Sequence, residues 1–322
     1  MNMKRLIIII AVAVMMAFSG SGVFAQLYDI DDADSEMHDI AVALSNVFGP
    51  NLGGMSFIGE PVGYSFIPRF EFGVAGGVVL VPLEDVTAGT NLDLDIGSLA
   101  RLPFPALAAH GKFSLGRIEI GGKIAGIPEI KDKDAGAGIS NIVIGGKVRY
   151  RLLNFKTFGL KGGASVGGFY EYMKGYINLT QSESIWIDAD NDGDADDGEI
   201  INTAGFETNW NAHTLGGEAQ ANLQLLIFNV FAGTRVSKSF GKAETVVAGT
   251  TDLVDHSGLG LVAEPLKPID LSISEESKPD GIDMFLYGGA EVKILILNVT
   301  GRVGYNLNNK NYTIDGGLRM QF

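Results

Sequence analysis

The chain contains no cysteine. That excludes disulfides, thiol catalysis and the acylated cysteine of a lipoprotein. Beyond Phe18 it has no long apolar run, although 46% of its residues are hydrophobic. A helical membrane protein needs stretches of about 20 apolar residues, so that class is excluded as well. Histidine is scarce: the chain holds four, His38, His110, His213 and His256. None stands beside a nucleophile motif or a catalytic pair of carboxylates, so no catalytic residue is assigned and no enzyme is expected. Gly121-Gly122 and Gly145-Gly146 lie inside strand patterns, where a phosphate-cradling loop does not fit. The net charge of −14 gives no basis for a nucleic-acid partner.

What the chain does have is alternation. From Ser140 to Leu152, Ile142, Ile144, Gly146, Val148 and Tyr150 share one face. Asn141, Val143, Gly145, Lys147, Arg149 and Arg151 share the other. Period two is the signature of a strand. After a tight turn at Leu153-Asn154 the pattern resumes, with Phe158, Leu160, Gly162, Ala164, Val166, Gly168, Tyr170 and Tyr172 on the greasy face. The whole reads as a hairpin with one apolar and one charged face. Strands of about 10 or more residues suit a bilayer better than a soluble sandwich. The hairpin is echoed around Asn229 and Asn298, which follow Asn154 by 75 and then 69 residues. Short turns alternating with long polar stretches are the rhythm of a transmembrane barrel.

The expected fold is therefore all-β, an antiparallel transmembrane β-barrel of about ten strands, with 8–14 possible, preceded by a short N-terminal helix. The strands are expected near Phe66–Val81, Phe104–Ser114, Arg117–Ile127, Ile139–Leu152, Phe155–Thr180, Glu207–Ile227, Val230–Phe240, Asp283–Ile296, Val299–Leu307 and Asn311–Phe322. Outer loops fall near 82–103, 128–138, 181–206, 241–282 and 308–310. Residues 1–25 read as a signal peptide: Lys4-Arg5, an apolar core, and Val23-Phe24-Ala25 as the cleavage site. Residues 26–60 form an acidic, partly helical segment, either lying under the barrel or plugging its lumen. Residues 61–322 form the barrel.

Two sets of charges stand out. The inward face is expected to carry Arg69, Glu71, Lys112, Arg117, Glu119, Lys123, Lys147, Arg149, Arg151, Lys161, Glu218, Arg235, Glu291, Lys293, Arg302, Asp315 and Arg319, a net basic lumen. Such charges either pair to fill a narrow barrel or form an anion-favouring channel. The second set is Asp188, Asp190, Asp192, Asp194, Asp196 and Glu199, with Gly193 at the sharp turn. D-x-D-x-D-G followed by five residues and Glu is the spacing of a calcium loop. No Lys or Arg lies between Gly175 and Thr234 to neutralise it. The twelve residues resemble the EF-hand loop, but Ala195 replaces the usual branched apolar residue and the flanks read as strands.

The last strand, Tyr312, Ile314, Gly316, Leu318, Met320 and Phe322 alternating with polar residues, resembles the terminal strand of bacterial outer-membrane barrels. That resemblance implies Phe322 as the signal read by the barrel-assembly machinery, outer-membrane lipid as the surroundings and the cell outer membrane as the location. Gly53-Gly54-Met55-Ser56, Val81-Pro82 and Leu102-Pro103-Phe104-Pro105 look like uncharacterised outer-membrane families of Bacteroidetes and spirochaetes. They are distantly similar to fatty-acid-transport type barrels, which have more strands than the ten counted here. The expected role is a narrow pore or an uptake barrel for small solutes or lipid. The alternative is a plugged structural or surface-interaction barrel with calcium-ordered loops.

Overall fold

The computed structural model describes His38, Ala41 and residues 65–82, 101–132, 136–187, 198–255, 269–279 and 281–322. Eleven strands are present: β1 (Ser65–Pro82), β2 (Arg101–Gly116), β3 (Ile118–Asp132), β4 (Ala137–Thr157), β5 (Leu160–Ile187), β6 (Gly198–Leu225), β7 (Phe228–Asp255), β8 (Ile269–Ser277), β9 (Asp283–Ile294), β10 (Leu297–Asn306) and β11 (Tyr312–Gln321). Consecutive strands pair antiparallel except β8 and β9, and β11 pairs with β1. β9 returns to β7, so ten strands close into a ring and β8 stands outside it. β8 is not an independent strand in register terms. Ser277 faces Ala243 and Asp283 faces Ser237, so β8 and β9 follow β7 as one rail, interrupted between them. The expected barrel of ten strands is the one observed.

Closure leaves no open edge around the ring, which a bilayer requires of a sheet. The seam carries the chain's end: Phe322 N–H donates to the Phe70 carbonyl at 2.9 Å, and Phe70 N–H donates back at 3.2 Å. At the same end lie short turns at Phe158-Gly159, Leu226-Ile227 and Leu295-Ile296. Leu226 and Leu295 take φ of 52° and 56°, the left-handed geometry that two-residue hairpins demand even of leucine. This end is called the turn end below.

The expected turn at Leu153-Asn154 is displaced. β4 continues to Thr157, and a register shift between Arg151 and Leu153 absorbs the extra residues. A second shift falls between Ile127 and Ile130. There Gly126 has φ 149°, and a Cβ on it would strike the Asn141 carbonyl.

The outward faces match the bilayer reading. Along β10, Leu297, Val299, Gly301, Val303 and Tyr305 point out; along β11, Tyr312, Ile314, Gly316, Leu318, Met320 and Phe322 do. Ile144 and Val148 on β4 are 48% and 53% exposed, whereas Arg149, the residue after Val148, is 2% exposed. Apolar bands of this length suit tilted strands crossing hydrocarbon.

The largest departure from expectation lies at the far end. Residues 181–206 and 241–282 were expected as loops. Instead β5, β6 and β7 each run 28 residues. β5 pairs with β6 without a register shift from Leu160–Leu225 to Ile187–Gly198. At about 3.3 Å per residue such strands reach some 90 Å. A stretch of wall built from β5, β6, β7 and β8 therefore stands well beyond the bilayer, while the β10–β11 hairpin stops at its surface.

Candidate functional site

The interior of the turn-end half is filled with paired charges. Glu71 sits on β1, where its alternation points it inward. It accepts from Lys112 on β2 at 2.7 Å and from Arg319 on β11 at 2.6 Å. Arg319 also pairs with Glu291 on β9, to which Thr300 donates at 3.2 Å. One level further in, Arg149 reaches Glu119 at 3.1 Å and Glu218 at 2.9 Å, and donates to Gln220 at 3.0 Å. Next come Glu171 with Lys123 at 2.7 Å and Arg235 at 3.0 Å. Arg302 pairs with Asp315 at 2.6 Å. Arg235 also lies over the Phe169 ring, 3.8 Å from its centroid. Each pair bridges different strands: Lys112–Glu71, Arg149–Glu119 and Arg302–Asp315 join neighbours, while Arg149–Glu218, Glu171–Arg235 and Arg319–Glu291 skip a strand. Buried ions at this depth are tolerated because each finds its counter-ion.

Glycine makes the packing possible. Gly167 faces Arg149 across the β4–β5 ladder, and a Cβ there would lie 2.5 Å from Arg149 Cγ. Gly145 similarly leaves room for Glu171 and Lys123. What space remains beside Lys123, Lys147, Glu171, Glu218 and Arg235 is a cavity of about 20 Å³. That holds about one water molecule, not a permeant solute.

The residues expected inside are placed as follows. Arg149, Arg151, Glu218, Arg235, Glu291, Arg302 and Arg319 are buried, and Lys147 and Lys293 are partly buried. Lys293 reaches Glu291 at 3.4 Å and donates to Gln224 at 3.2 Å. Arg117 and Lys161, expected inside, are exposed; both stand close to turns, where the inward–outward alternation gives way. Glu171 and Asp283 were missed. Both keep the inward parity of their strands, and that parity was the available clue. The interior is accordingly nearer to charge balance than the sequence count suggested. His213 points outward, its Nδ1 2.6 Å from the Tyr170 hydroxyl.

Above Lys174 on β5 the polarity of the wall inverts. Below it the outward residues are apolar and the inward ones charged. Beyond it the outward row reads Lys174, Tyr176, Asn178 and Thr180 on β5, Asn211, Asn209 and Glu207 on β6, and Lys242 and Glu244 on β7. The inward row becomes mainly apolar: Ile139, Ile177, Leu179, Trp210 and Val247 are all at most 9% exposed, and the buried Thr208 and Thr245 hydroxyls bond each other at 2.9 Å. Trp210 donates its indole N–H to Asn141 at 3.1 Å, satisfying its one polar atom. On the outer side Lys242 bridges Glu276 at 2.8 Å and Glu244 at 3.0 Å, tying β7 to β8. Those two hydrogen bonds, the one to Glu276 first, hold the Lys242 ammonium above its ordinary pKa.

The N-terminal segment 26–60 is described only at His38 and Ala41, both helical. Ala41 is fully buried. His38 Nδ1 lies 3.2 Å from Glu275, an inward-parity residue of β8. Of the expected calcium ligands, Asp188, Asp190, Asp192, Asp194 and Asp196 lie outside the described residues. Glu199 is the second residue of β6, opposite Trp186 of β5 and Val254 of β7. The signal peptide also lies outside the described residues.

No family model matches the chain, and no curated protein matches it. Among solved structures, the outer-membrane protease OmpT of Escherichia coli is similar over 82% of this chain and 99% of its own, at 11% identity and a TM-score of 0.38. The translocator domain of the autotransporter NalP of Neisseria meningitidis aligns over 89% of this chain and 99% of its own, at 10% identity and a TM-score of 0.28. Neisserial surface protein A aligns over 79% and 97%, at 9% identity and a TM-score of 0.29. The chain is an all-β, antiparallel, closed ten-stranded barrel, and these structures that it resembles are barrels of the bacterial outer membrane.

Proposed function

We propose that the chain is an outer-membrane uptake barrel for small apolar molecules, lipid-like in character, which it takes into its outer half. One observation carries this reading: the inward face changes from ionic to apolar above Lys174. The ionic half closes the straight path, because moving an apolar solute through paired charges gains nothing and breaks their pairing. The apolar half offers the solute burial and contact with Trp210. Because the ionic half is closed, no steady conductance is expected.

Trp210 supplies the test. The chain has two tryptophans, Trp186 and Trp210, so Trp186→Phe leaves a single reporter on the inner face. Brominated fatty acid should quench it saturably in the refolded barrel, while a brominated phospholipid confined to the bilayer should not. Absence of saturable quenching, or equal quenching by both probes, would remove the uptake reading.

A second reading has its own support. Ala41 is fully buried and His38 meets Glu275, which fits a plugged barrel acting through its outer surface. That reading expects no saturable quenching, so the same measurement separates the two. In either case we propose that Asp188–Glu199 binds calcium at the tip of the β5–β6 hairpin. Millimolar calcium should then protect the hairpin from protease in wild type but not in Glu199→Ala. The affinity expected for an extracellular loop of this kind is about 10⁻⁴–10⁻³ M. Cleavage indifferent to calcium in the wild type would leave only an acidic loop.

A further inference from the structure

Three neighbouring strands present a basic, aromatic patch on the outside of the barrel where the apolar band ends. Across the ladders, Lys174 faces Asn211, which faces Lys242; Tyr172 faces His213, which faces Phe240; Tyr170 faces Leu215, which faces Lys238. All nine share the outward parity of their strands. Lys238 stands between Val236 and Phe240 in the outward row of β7, yet its amine lies 5.5 Å from the Phe240 ring centroid, toward the band's upper edge. That is how a lysine rooted at membrane depth reaches the interface. His213 is packed between Tyr170 and Tyr172, at ring-centroid distances of 6.0 and 5.0 Å. The Tyr170 hydroxyl is the natural donor to Nδ1, which leaves Nε2 as an outward N–H donor.

The charges of this patch differ in what holds them. Lys242 is neutralised by Glu244 and Glu276. Neither Lys174 nor Lys238 meets a carboxylate among the described residues. The adjoining strand β4 offers only Ile142, Ile144 and Gly146 beside them, with no acid. In a chain of net charge −14, two cations and an N–H donor without a local acid, at the depth of lipid headgroups and flanked by aromatic rings, form a site complementary to an anion attached to a lipid.

We propose that Lys174, His213 and Lys238 bind the phosphate of an outer-leaflet glycolipid, whose acyl chains lie along Leu215 and the apolar band below. This inference rests on the membrane reading above. The ligand is a lipid rather than free phosphate, because the apolar row continues directly beneath the cations and would otherwise face water.

The test uses the full mature barrel, refolded in vesicles and checked for heat-modifiable folding, then transferred to detergent for native mass spectrometry with bisphosphorylated lipid A. Wild type should retain the lipid. Lys174→Gln with Lys238→Gln should bind about tenfold more weakly or worse, the loss of about one charge-assisted hydrogen bond or more. The paired Lys→Arg variant should restore binding, and Lys156→Gln at the turn end should leave it unchanged. Dephosphorylated lipid A should bind wild type no better than the double Gln variant binds the phosphorylated lipid. Equal retention by wild type and the double Gln variant, or retention indifferent to the phosphates, overturns the site. Displacement by millimolar inorganic phosphate assigns it to a free anion and overturns the lipid. A wild-type chain that does not fold into vesicles at all removes the membrane reading itself, and this inference with it.

Discussion

Replacing Arg149 by leucine is expected to destabilise the barrel by about 3–5 kcal/mol, the usual consequence of removing one partner from a buried ionic cluster. Arg149 is 2% exposed and touches Glu119, Glu218 and Gln220 on two other strands. Leucine would fill part of the volume but leave two buried carboxylates facing each other without a cation. Restoring charge balance is the discriminating control. Arg149→Leu combined with Glu119→Gln and Glu218→Gln should recover a large part of the loss, because the isolated charges are then gone. The measurement is the denaturant midpoint of the refolded barrel in vesicles. A single variant within about 1 kcal/mol of wild type, well under the usual cost of stranding buried charge, would show that water reaches this level of the lumen and that the ionic half is not closed.

The second large effect is on the other face of the same strand. Val148→Arg should cost roughly 2–4 kcal/mol, the penalty of a charge near the bilayer midplane, and Ile144→Arg, nearer the membrane boundary, should cost less. Ile144 pairs with Ile124 and Tyr172 on its two sides and is half exposed to the outside. Its arginine would have to bend toward an interface or draw water into hydrocarbon. A scan of arginine through Ile142, Ile144, Val148 and Leu152 should give a penalty that peaks in the middle of the series. A flat profile would mean that this face meets water or another protein rather than lipid.

The barrel half of the fold was legible because a bilayer imposes a strict rule on outward residues. Gly146 to Leu152 and Tyr312 to Phe322 alternate outward and inward residues without a break, and parity alone assigns Arg149 and Arg319 inward. The pairing of those charges was not legible. Which inward residue meets which depends on the stagger between strands, and Arg319 meets Glu71 only because β11 closes onto β1. The far extension of β5 to β8 was unreadable for a different reason. Beyond Lys174 the outward face turns polar, and Asn178, Thr180 and Ser182 look like a loop when the apolar face is sought on the outside. The clue lay on the opposite parity, where Ile177 and Leu179, and after Gln181 and Glu183 again Ile185 and Ile187, keep the period of two. Glu171 was overlooked because it stands between Tyr170 and Tyr172, two residues that announce the membrane boundary.

The unbroken β5–β6 ladder places a condition on how this chain can change length. Below Lys174 one parity must meet lipid; above it the same parity must meet water, while the opposite parity forms an apolar interior. Deleting one residue at Gly175 would leave the bilayer portion intact and reverse the remainder of β5, turning Ile177 and Leu179 to solvent. Deleting two adjacent residues there would shorten the strand and preserve both faces. The hairpin can therefore lengthen or shorten through substitutions at its tip or by even steps along its sides. A single-residue indel in its sides survives only where a bulge restores the phase, as the β4–β5 ladder shows between Arg151 and Leu153.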